Sequence, residues 1–327
     1  MALFSQITSV IDNALYGLVL VFLLAGMGIF FSIRTGFVQI RLIKDMFTQL
    51  FEKKLNKGSG SMSSFQSMIV STAARVGTGN IAGIATAITL GGPGSVLWMW
   101  ILALFSAASA FIESTLAQLW KVKGEKEGAF RGGPAYYIQY ALNKRWLGVA
   151  FSVLLISTYT IGFNGLQAYN MTSSLEYFIP DYETNGTTWI VGIILVILLS
   201  FASFGGVRRI SRITSVMVPI MAGSYIIFAI IITIFNAELL PACFATIFKS
   251  AFDWEAIIGG FTGSVIMYGA KRGLLSNEAG MGSAPNAAAS ASVSHPAKQG
   301  LVQSLSVYID SFLVCTSSAM VVMIFCV

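Results

Sequence analysis

The sequence predicts an all-α membrane protein built as a polytopic helical bundle, and three observations support this prediction. Hydrophobic residues make up 55% of the 327 residues and charged residues only 10%, far below the ~25% charged residues of soluble domains. The apolar residues form long runs, not the alternating ~10-residue segments of a membrane β-barrel. The few charges are also distributed unevenly among the loops. This composition excludes soluble, disordered and disulfide-rich secreted proteins.

Eight apolar runs are long enough to be membrane spans, given roughly 20 residues per helical crossing. They cover residues 15–33, 65–90, 95–120, 146–170, 189–204, 215–235, 256–275 and 300–327. The first run has no basic residues before it and no small-residue cleavage site after it. We therefore expect it to be retained as a helix and not removed as a signal peptide.

The basic residues predict how these spans are oriented. Of the 20 Lys and Arg residues, 18 fall on one side of the predicted bundle, in the loops that follow odd-numbered spans or at the ends of those spans. They are Arg34, Arg41, Lys44, Lys53, Lys54, Lys57, Lys121, Lys123, Lys126, Arg131, Lys144, Arg145, Arg208, Arg209, Arg212, Lys271, Arg272 and Lys298. The opposite loops contain only Lys249 among basic residues. The positive-inside rule therefore places the N-terminus outside the cell, and the protein in the cytoplasmic membrane. Such a charge distribution argues for a lipid bilayer as partner and against nucleic acid.

The second run contains a predicted helix break. Residues 71–80 read Ser-Thr-Ala-Ala-Arg-Val-Gly-Thr-Gly-Asn, and irregular backbone at membrane depth is tolerated only inside protein or beside water. N–H groups freed at the start of the second half-helix would attract a carboxylate. Carbonyls freed at the end of the first half could coordinate a cation, as in secondary transporters. Two alternatives remain: the glycines serve close helix packing, or Arg75 pairs with a carboxylate near the boundary.

The seventh run is interrupted in a similar way, by glycines at residues 259–263 and at Gly269. Two Gly-interrupted spans in corresponding positions indicate an inverted repeat. In the fourth run, Asn164, Gln167 and Asn170 follow each other at three-residue spacing and share roughly one helical face. They are expected to line a cavity, the alternative being that they face a loop.

Two acids, Glu113 and Asp310, lie inside spans. Each could be a cation or proton site, or a partner of Arg75. Three cysteines and the single His295 predict neither a metal cluster nor a disulfide framework. Motifs of hydrolases, metalloproteases and nucleotide-binding enzymes are absent. The sequence therefore predicts a protein that is not an enzyme and has no cofactor.

Several blocks of the chain together resemble the alanine or glycine:cation symporters, also called sodium:alanine symporters. The blocks are RVGTGNIAG at 75–83, GGPG at 91–94, WMW at 98–100, ESTLAQ at 113–118, RGGPAYYI at 131–138 and RGLLSNEAG at 272–280. The resemblance extends from about residue 65 to about residue 300 and implies a leucine-transporter-like fold with two inverted five-helix repeats.

The resemblance also implies a division of the chain. Residues 1–60 would form an extra transmembrane helix and a basic cytoplasmic loop, residues 61–235 the first five-helix repeat, and residues 236–327 the start of the second. About three further helices would follow in the family, so we expect this second repeat to be incomplete and the chain to be C-terminally truncated.

The implied function is sodium-coupled symport of alanine or glycine by alternating access, with H⁺ as another possible coupling ion. Two alternatives are a transport-incompetent fragment and an amino-acid-binding protein or channel without coupling. The resemblance places the substrate at the helix break and sodium on two backbone carbonyls beside it. The substrate residues would be Gly77, Thr78, Gly79, Asn80, Gln167, Met267, Tyr268 and Gly269, and the sodium ligands the carbonyls of Ala73 and Val76.

Overall fold

The computed structural model describes residues 6, 15, 19–52, 62–125, 127–179, 182, 186–204, 206–253 and 265–326, and this part of the chain is predominantly helical. Up to the second apolar run, the helices are α1 (Leu20–Arg34), α2 (Val38–Arg41), α3 (Ile43–Leu50), α4 (Ser64–Arg75) and α5 (Ile84–Gly91). A π-helical turn, Gly79–Gly83, precedes α5.

Next come α6 (Ser95–Leu119), a two-stranded antiparallel ribbon of β1 (Val122–Lys123) and β2 (Phe130–Arg131), α7 (Pro134–Ala141), α8 (Arg145–Ser157), α9 (Asn164–Ser173), α10 (Thr187–Ser203) and α11 (Gly206–Phe235). The remaining helices are α12 (Leu240–Ala251), α13 (Val265–Asn277), α14 (Ala284–Ala289), α15 (Pro296–Tyr308) and α16 (Thr316–Cys326). π-helical segments join α8 to α9 (Thr158–Phe163) and α15 to α16 (Ile309–Cys315).

The observed apolar helices agree with seven of the eight predicted spans. Within the described residues, four stretches are long and apolar enough to cross a membrane: Ser95–Leu119, Arg145–Ser173, Arg212–Phe235 and Pro296–Cys326. Shorter apolar helices correspond to the first, second and fifth runs. The seventh run is described from residue 265 onward, so its predicted glycine break at 259–263 lies outside the described residues. These helices are those of a multi-pass membrane protein.

Helix α6 lies at the centre of the packing and contacts α1, α13, α14 and α15. Its buried face is lined by small residues, including Ala103, Ala107 and Ala110, none of which is exposed. Small residues allow helix backbones to approach closely in the absence of a hydrophobic driving force between helices. At Gly300 of α15, an added Cβ would lie 2.7 Å from the carbonyl oxygen of Phe111, so the α6–α15 contact requires glycine there.

The second predicted span is broken, as the sequence predicted. A capping box between Ser63 and Gln66 starts α4, and the helix ends at Arg75 because Val76 adopts an extended conformation (φ −78°, ψ 107°). The last helical bond of α4 runs from Val76 N to the Thr72 carbonyl. The π-helical turn and α5 then continue the span after the interruption at Val76–Thr78.

Helix α4 is held beside α15 by a ladder of polar side chains. Gln299 donates to Ser67 (2.9 Å), and Ser71 donates to the Gln303 side-chain oxygen (2.7 Å). Partners advance by four residues on both helices, so α4 and α15 run parallel. Interhelical hydrogen bonds of this kind fix the register of membrane helices. The ladder therefore positions the break against the segment that follows α15.

Candidate functional site

The break presents two hydrogen-bond donors from a single residue. The Thr78 N–H donates to the Gln167 side-chain oxygen (3.1 Å), and the Thr78 hydroxyl donates to the same oxygen (2.6 Å). Asn170 Nδ2 in turn donates to the Thr78 hydroxyl oxygen (3.1 Å). Two donors that converge on one oxygen would also suit an oxygen of a carboxylate.

Both partners of Thr78 come from α9, where Gln167 and Asn170 share one face at three-residue spacing. Glycine at position 77 makes the approach possible, since a Cβ there would clash with the Gln167 amide nitrogen. The polar face predicted for the fourth span therefore reaches the break. Asn164, the third residue of that predicted face, makes none of these contacts.

The start of the second half-helix is fixed by a buried polar cluster around Asn80. Its Nδ2 donates to Asp310 Oδ1 (2.7 Å), while its Oδ1 accepts from Arg272 (3.3 Å) and Ser276 (3.2 Å). Ser276 is also 2.7 Å from Asp310 Oδ2. Asn80 is 2% exposed and Asp310 is fully buried. The Asn80 side chain thus positions the turn, and its hydrogen bonds are made within the protein.

Arg272 and Asp310 bring opposite charges into this cluster without a direct ion pair: no ion pair involving either residue is found among the described residues. Asn80 lies between them and bonds to both. Asp310 sits in the π-helical segment Ile309–Cys315, and π-helical segments often occur at functional sites. Three separate parts of the chain, the turn after the break, α13 and this segment, are therefore joined at one point.

Arg75, the last residue of α4, lies on the other side of the break. It is 4% exposed and donates to the Ser306 hydroxyl through Nη1. Its Nε and Nη2 have no hydrogen-bond partner among the described residues, and no carboxylate there forms an ion pair with Arg75. The alternative in which Arg75 pairs with a carboxylate is therefore not observed among the described residues.

Two further acids are buried near Arg75 and are bonded to other groups. Glu113 accepts from the Gly280 N–H (3.2 Å), and Glu278 accepts from the Tyr159 hydroxyl (2.7 Å) and from Ser283. The Tyr159–Glu278 bond connects the π-helical segment before α9 to the loop after α13. The same elements that meet around the break are thus linked a second time, nearer the side of the basic loops.

A cavity of about 620 Å³ opens on the side of the basic loops. It extends to Ser71 and Ala74 in the last turns of α4, and to Tyr159 and Ser283. The rest of its lining comes from α4, β2, α7, α8, α11 and α14 and from residues next to them. The cavity therefore ends within one turn of the break and beside the Tyr159–Glu278–Ser283 contacts.

Three of the predicted site residues pack against parts of the chain other than the break. Met267 packs in an apolar cluster with residues of α1 and α6. The Tyr268 side chain lies against Gly91 at the end of α5, and Gly269 lies against Ser95 and Trp98 at the start of α6. On α13 it is Arg272 and Ser276, one turn further on, that reach the turn after the break. Their four-residue spacing within the RGLLSNEAG block was the only signal that could have identified them.

Comparison with known proteins identifies relatives over the whole chain. Residues 1–327 match the sequence pattern of the sodium:alanine symporter family. The chain is 46% identical over 308 residues to the amino-acid carrier protein AlsT of Bacillus subtilis, covering 94% of this chain and 64% of AlsT. It is 44% identical over 318 residues to the probable sodium/glutamine symporter GlnT of the same species, covering 97% of this chain and 65% of GlnT.

An archaeal relative matches over a similar range. The sodium/alanine symporter AgcS of Methanococcus maripaludis is 35% identical over 322 residues, which cover 98% of this chain and 71% of AgcS. The chain thus spans slightly less than two thirds of the length of the Bacillus relatives AlsT and GlnT.

Proposed function

The chain belongs to the sodium:alanine symporter family, and on that premise we propose that it carries out sodium-coupled symport of a small neutral amino acid, alanine or glycine, by alternating access. The site of transport is the break at Val76–Thr78. The proposal includes the leucine-transporter-like inverted repeat, with residues 61–235 as the first repeat and residues 236–327 as the start of the second. It also includes a cytoplasmic-membrane location with the N-terminus outside.

One observation supports this function above all: the N–H and hydroxyl of Thr78 converge on a single side-chain oxygen, that of Gln167. A substrate carboxylate offers the same kind of acceptor with a full negative charge. It would also interact with the positive end of the helical segment that begins at Gly79. We therefore assign the substrate carboxylate to Thr78, with the backbone of Gly77 and Gly79 beside it, and expect it to displace the Gln167 amide.

The resemblance assigns Asn80, Met267, Tyr268 and Gly269 to the substrate site as well. The hydrogen bonds of Asn80 favour a positioning role, since they hold the turn that presents Thr78 and Gly79. Contact of the three α13 residues with substrate requires α13 to move relative to α5 and α6. Such a movement belongs to an alternating-access cycle, in which the broken helices rearrange around the site.

Sodium is assigned to carbonyl oxygens at the end of α4. Because the last helical bond of α4 is made by Val76 N, the carbonyl of Ala73 lies beyond that bond, as the last carbonyls of a helix generally do. The Val76 carbonyl follows in extended backbone. The Thr72 hydroxyl, one turn before the break, is buried and without a partner among the described residues. Oxygen ligands of this kind suit a hard cation.

Coupling follows if both ligands stabilise the same arrangement of the broken helix. Sodium on the α4 side and the carboxylate on the Thr78 side would each fix the interruption between α4 and α5. Each ligand would then raise the affinity for the other by the same factor, as linkage requires. The cavity beside Tyr159 and Ser283 supplies a route between the break and the side of the basic loops.

The alternative function is amino-acid binding without coupled transport, as in a receptor or channel, or by a fragment that cannot transport. Uptake of radiolabelled alanine into proteoliposomes distinguishes these functions. A symporter accumulates alanine above equilibrium when an inward sodium gradient is applied, and stops when the gradient is removed. Uptake that does not respond to sodium or pH gradients would contradict the coupling claim.

A further inference from the structure

The chain between the first two spans turns sharply at the end of α1. Gly36 (φ 61°) and Phe37 (φ 53°) both have left-handed backbone, so α2 and α3 do not continue α1. Helix α3 has eight residues, and at 1.5 Å per residue it is far too short to cross the ~30 Å hydrocarbon core. The segment must therefore lie beside the bundle on the side of the basic loops.

One face of this segment packs against the protein. Val38, Met46 and Leu50 are buried in a cluster that includes Met68 of α4 and Leu301 of α15. Polar contacts hold the end of α3 in place as well.

Glu52, two residues after α3, forms an ion pair with Lys298 (2.7 Å) and accepts from the Ser294 hydroxyl (2.7 Å). Both apolar and polar contacts thus fix the position of α3. The face of α3 that does not pack against the protein is therefore held in one orientation.

The second face is apolar and largely exposed. Ile40, Ile43, Phe47 and Phe51 are 53%, 44%, 54% and 75% exposed and follow each other at helical spacing. The Phe51 ring stacks on Phe65 at the start of α4, with ring centroids 6.0 Å apart. A contiguous stripe of large apolar side chains is not stable against water and indicates an apolar partner.

Basic side chains border this stripe. Lys44 is exposed and, on a helical projection, lies between the stripe and the polar residues Asp45 and Thr48. Arg41 is exposed at the end of α2. Apolar residues bordered by lysine and arginine are the pattern of a helix lying in the membrane interface, where the basic groups reach the phosphate level.

We propose that α2 and α3 form a binding surface for anionic lipid headgroups, with Ile40, Ile43, Phe47 and Phe51 inserted at the acyl boundary and Lys44 and Arg41 on the lipid phosphates. A lipid, and not a protein partner, is the occupant because the stripe is continuous with lipid-facing surface. Ile33 near the end of α1 is exposed, and so is Phe65 at the start of α4, whose ring contacts Phe51.

Spin labelling tests the depth of this surface in the full chain, reconstituted in vesicles of three parts phosphatidylcholine to one part phosphatidylglycerol. Labels are placed at Phe47→Cys and, as the matched control on the polar side, at Thr48→Cys. Both carry Cys326→Ser, because the other cysteines are buried. Oxygen should relax the label at 47 more than a water-soluble nickel chelate does, with the reverse at 48. Equal nickel accessibility at the two positions would overturn the proposal.

Lipid retention tests the headgroup preference independently. Lys44→Gln should lower the ratio of phosphatidylglycerol to phosphatidylcholine bound to the purified protein about fivefold, the effect of one basic side chain near an anionic surface. Lys123→Gln, an exposed lysine on the same side, should leave the ratio unchanged. An unchanged ratio in Lys44→Gln, or an equal drop in both variants, contradicts the proposal. Displacement of the lipid by millimolar inorganic phosphate would identify a free-anion site instead.

Discussion

Replacement of Gln167 distinguishes two roles for this residue: a competitor of the substrate carboxylate for Thr78, and a ligand of the substrate. The two roles predict changes of opposite sign in alanine affinity. In the structure, the Gln167 oxygen occupies both donors of Thr78, so a substrate carboxylate has to displace it. Gln167→Ala removes this competitor and should tighten alanine binding. If Gln167 instead contributes a net favourable contact to the substrate, the same variant should weaken binding.

The size of the effect follows from the two hydrogen bonds. Each contributes a net ~0.5–1.5 kcal/mol, so displacing the amide costs about 1–3 kcal/mol. Removing that cost corresponds to a decrease in Kd of about fivefold to about 150-fold. Because Gln167 is only half-buried, water competes for its amide and the effect should lie near the lower value.

The assay is equilibrium binding of radiolabelled alanine to purified protein in saturating sodium. Gln167→Glu is the companion variant. Its carboxylate keeps the shape, accepts more strongly from Thr78 and repels the substrate carboxylate, so binding should weaken by at least tenfold. Unfolding temperatures of both variants establish that the fold is retained. Weaker binding by Gln167→Ala at an unchanged unfolding temperature would refute the displacement reasoning.

Three further predictions concern stability. Asp310→Asn removes the negative charge of the buried cluster and leaves Arg272 without a compensating charge. Detergent-solubilised protein should therefore lose about 3 kcal/mol of stability in denaturant unfolding. An unchanged unfolding midpoint would contradict this prediction. Gly300→Ala should lower stability by about 1–3 kcal/mol, because the new Cβ meets the α6 backbone. Gly192→Ala, whose Cβ meets open space, should be neutral or stabilising. Similar melting temperatures for both variants would refute the packing argument. Burial lowers the pKa of Lys121 from 10.5 to about 8, so between these values the unfolded chain binds more protons and stability should rise with pH. Lys121→Met should abolish that rise in melting temperature and Lys123→Met should not.

The sequence was sufficient to predict the break and part of its surroundings. Glycines at 77 and 79 within an apolar run violate helix preference, and the structure interrupts the helix there. Three-residue spacing placed Gln167 and Asn170 on one face, which contacts Thr78. Both predictions rest on local periodicity, which a single sequence contains.

Contacts between distant segments were not predictable in the same way. Residues 267–269 and 272–276 belong to one helix, and only its packing against α5 and α6 decides which turn meets the break. The sequence identifies Asp310 only as an isolated acid within a span, because its bonds to Asn80 and Ser276 depend on the register between α15 and α4. The π-helical segments at 158–163 and 309–315 likewise lack a local sequence signal, because the change to i→i+5 hydrogen bonds depends on how the helix packs against distant segments.

The measurement that tests the central claim most directly is the mutual dependence of alanine and sodium binding on the purified chain. Alanine affinity is measured in sodium and in choline, and sodium affinity with and without alanine. If both ligands stabilise the same state of the broken helix, each should raise the affinity for the other by one and the same factor. Alanine binding of equal strength in sodium and choline would contradict the account.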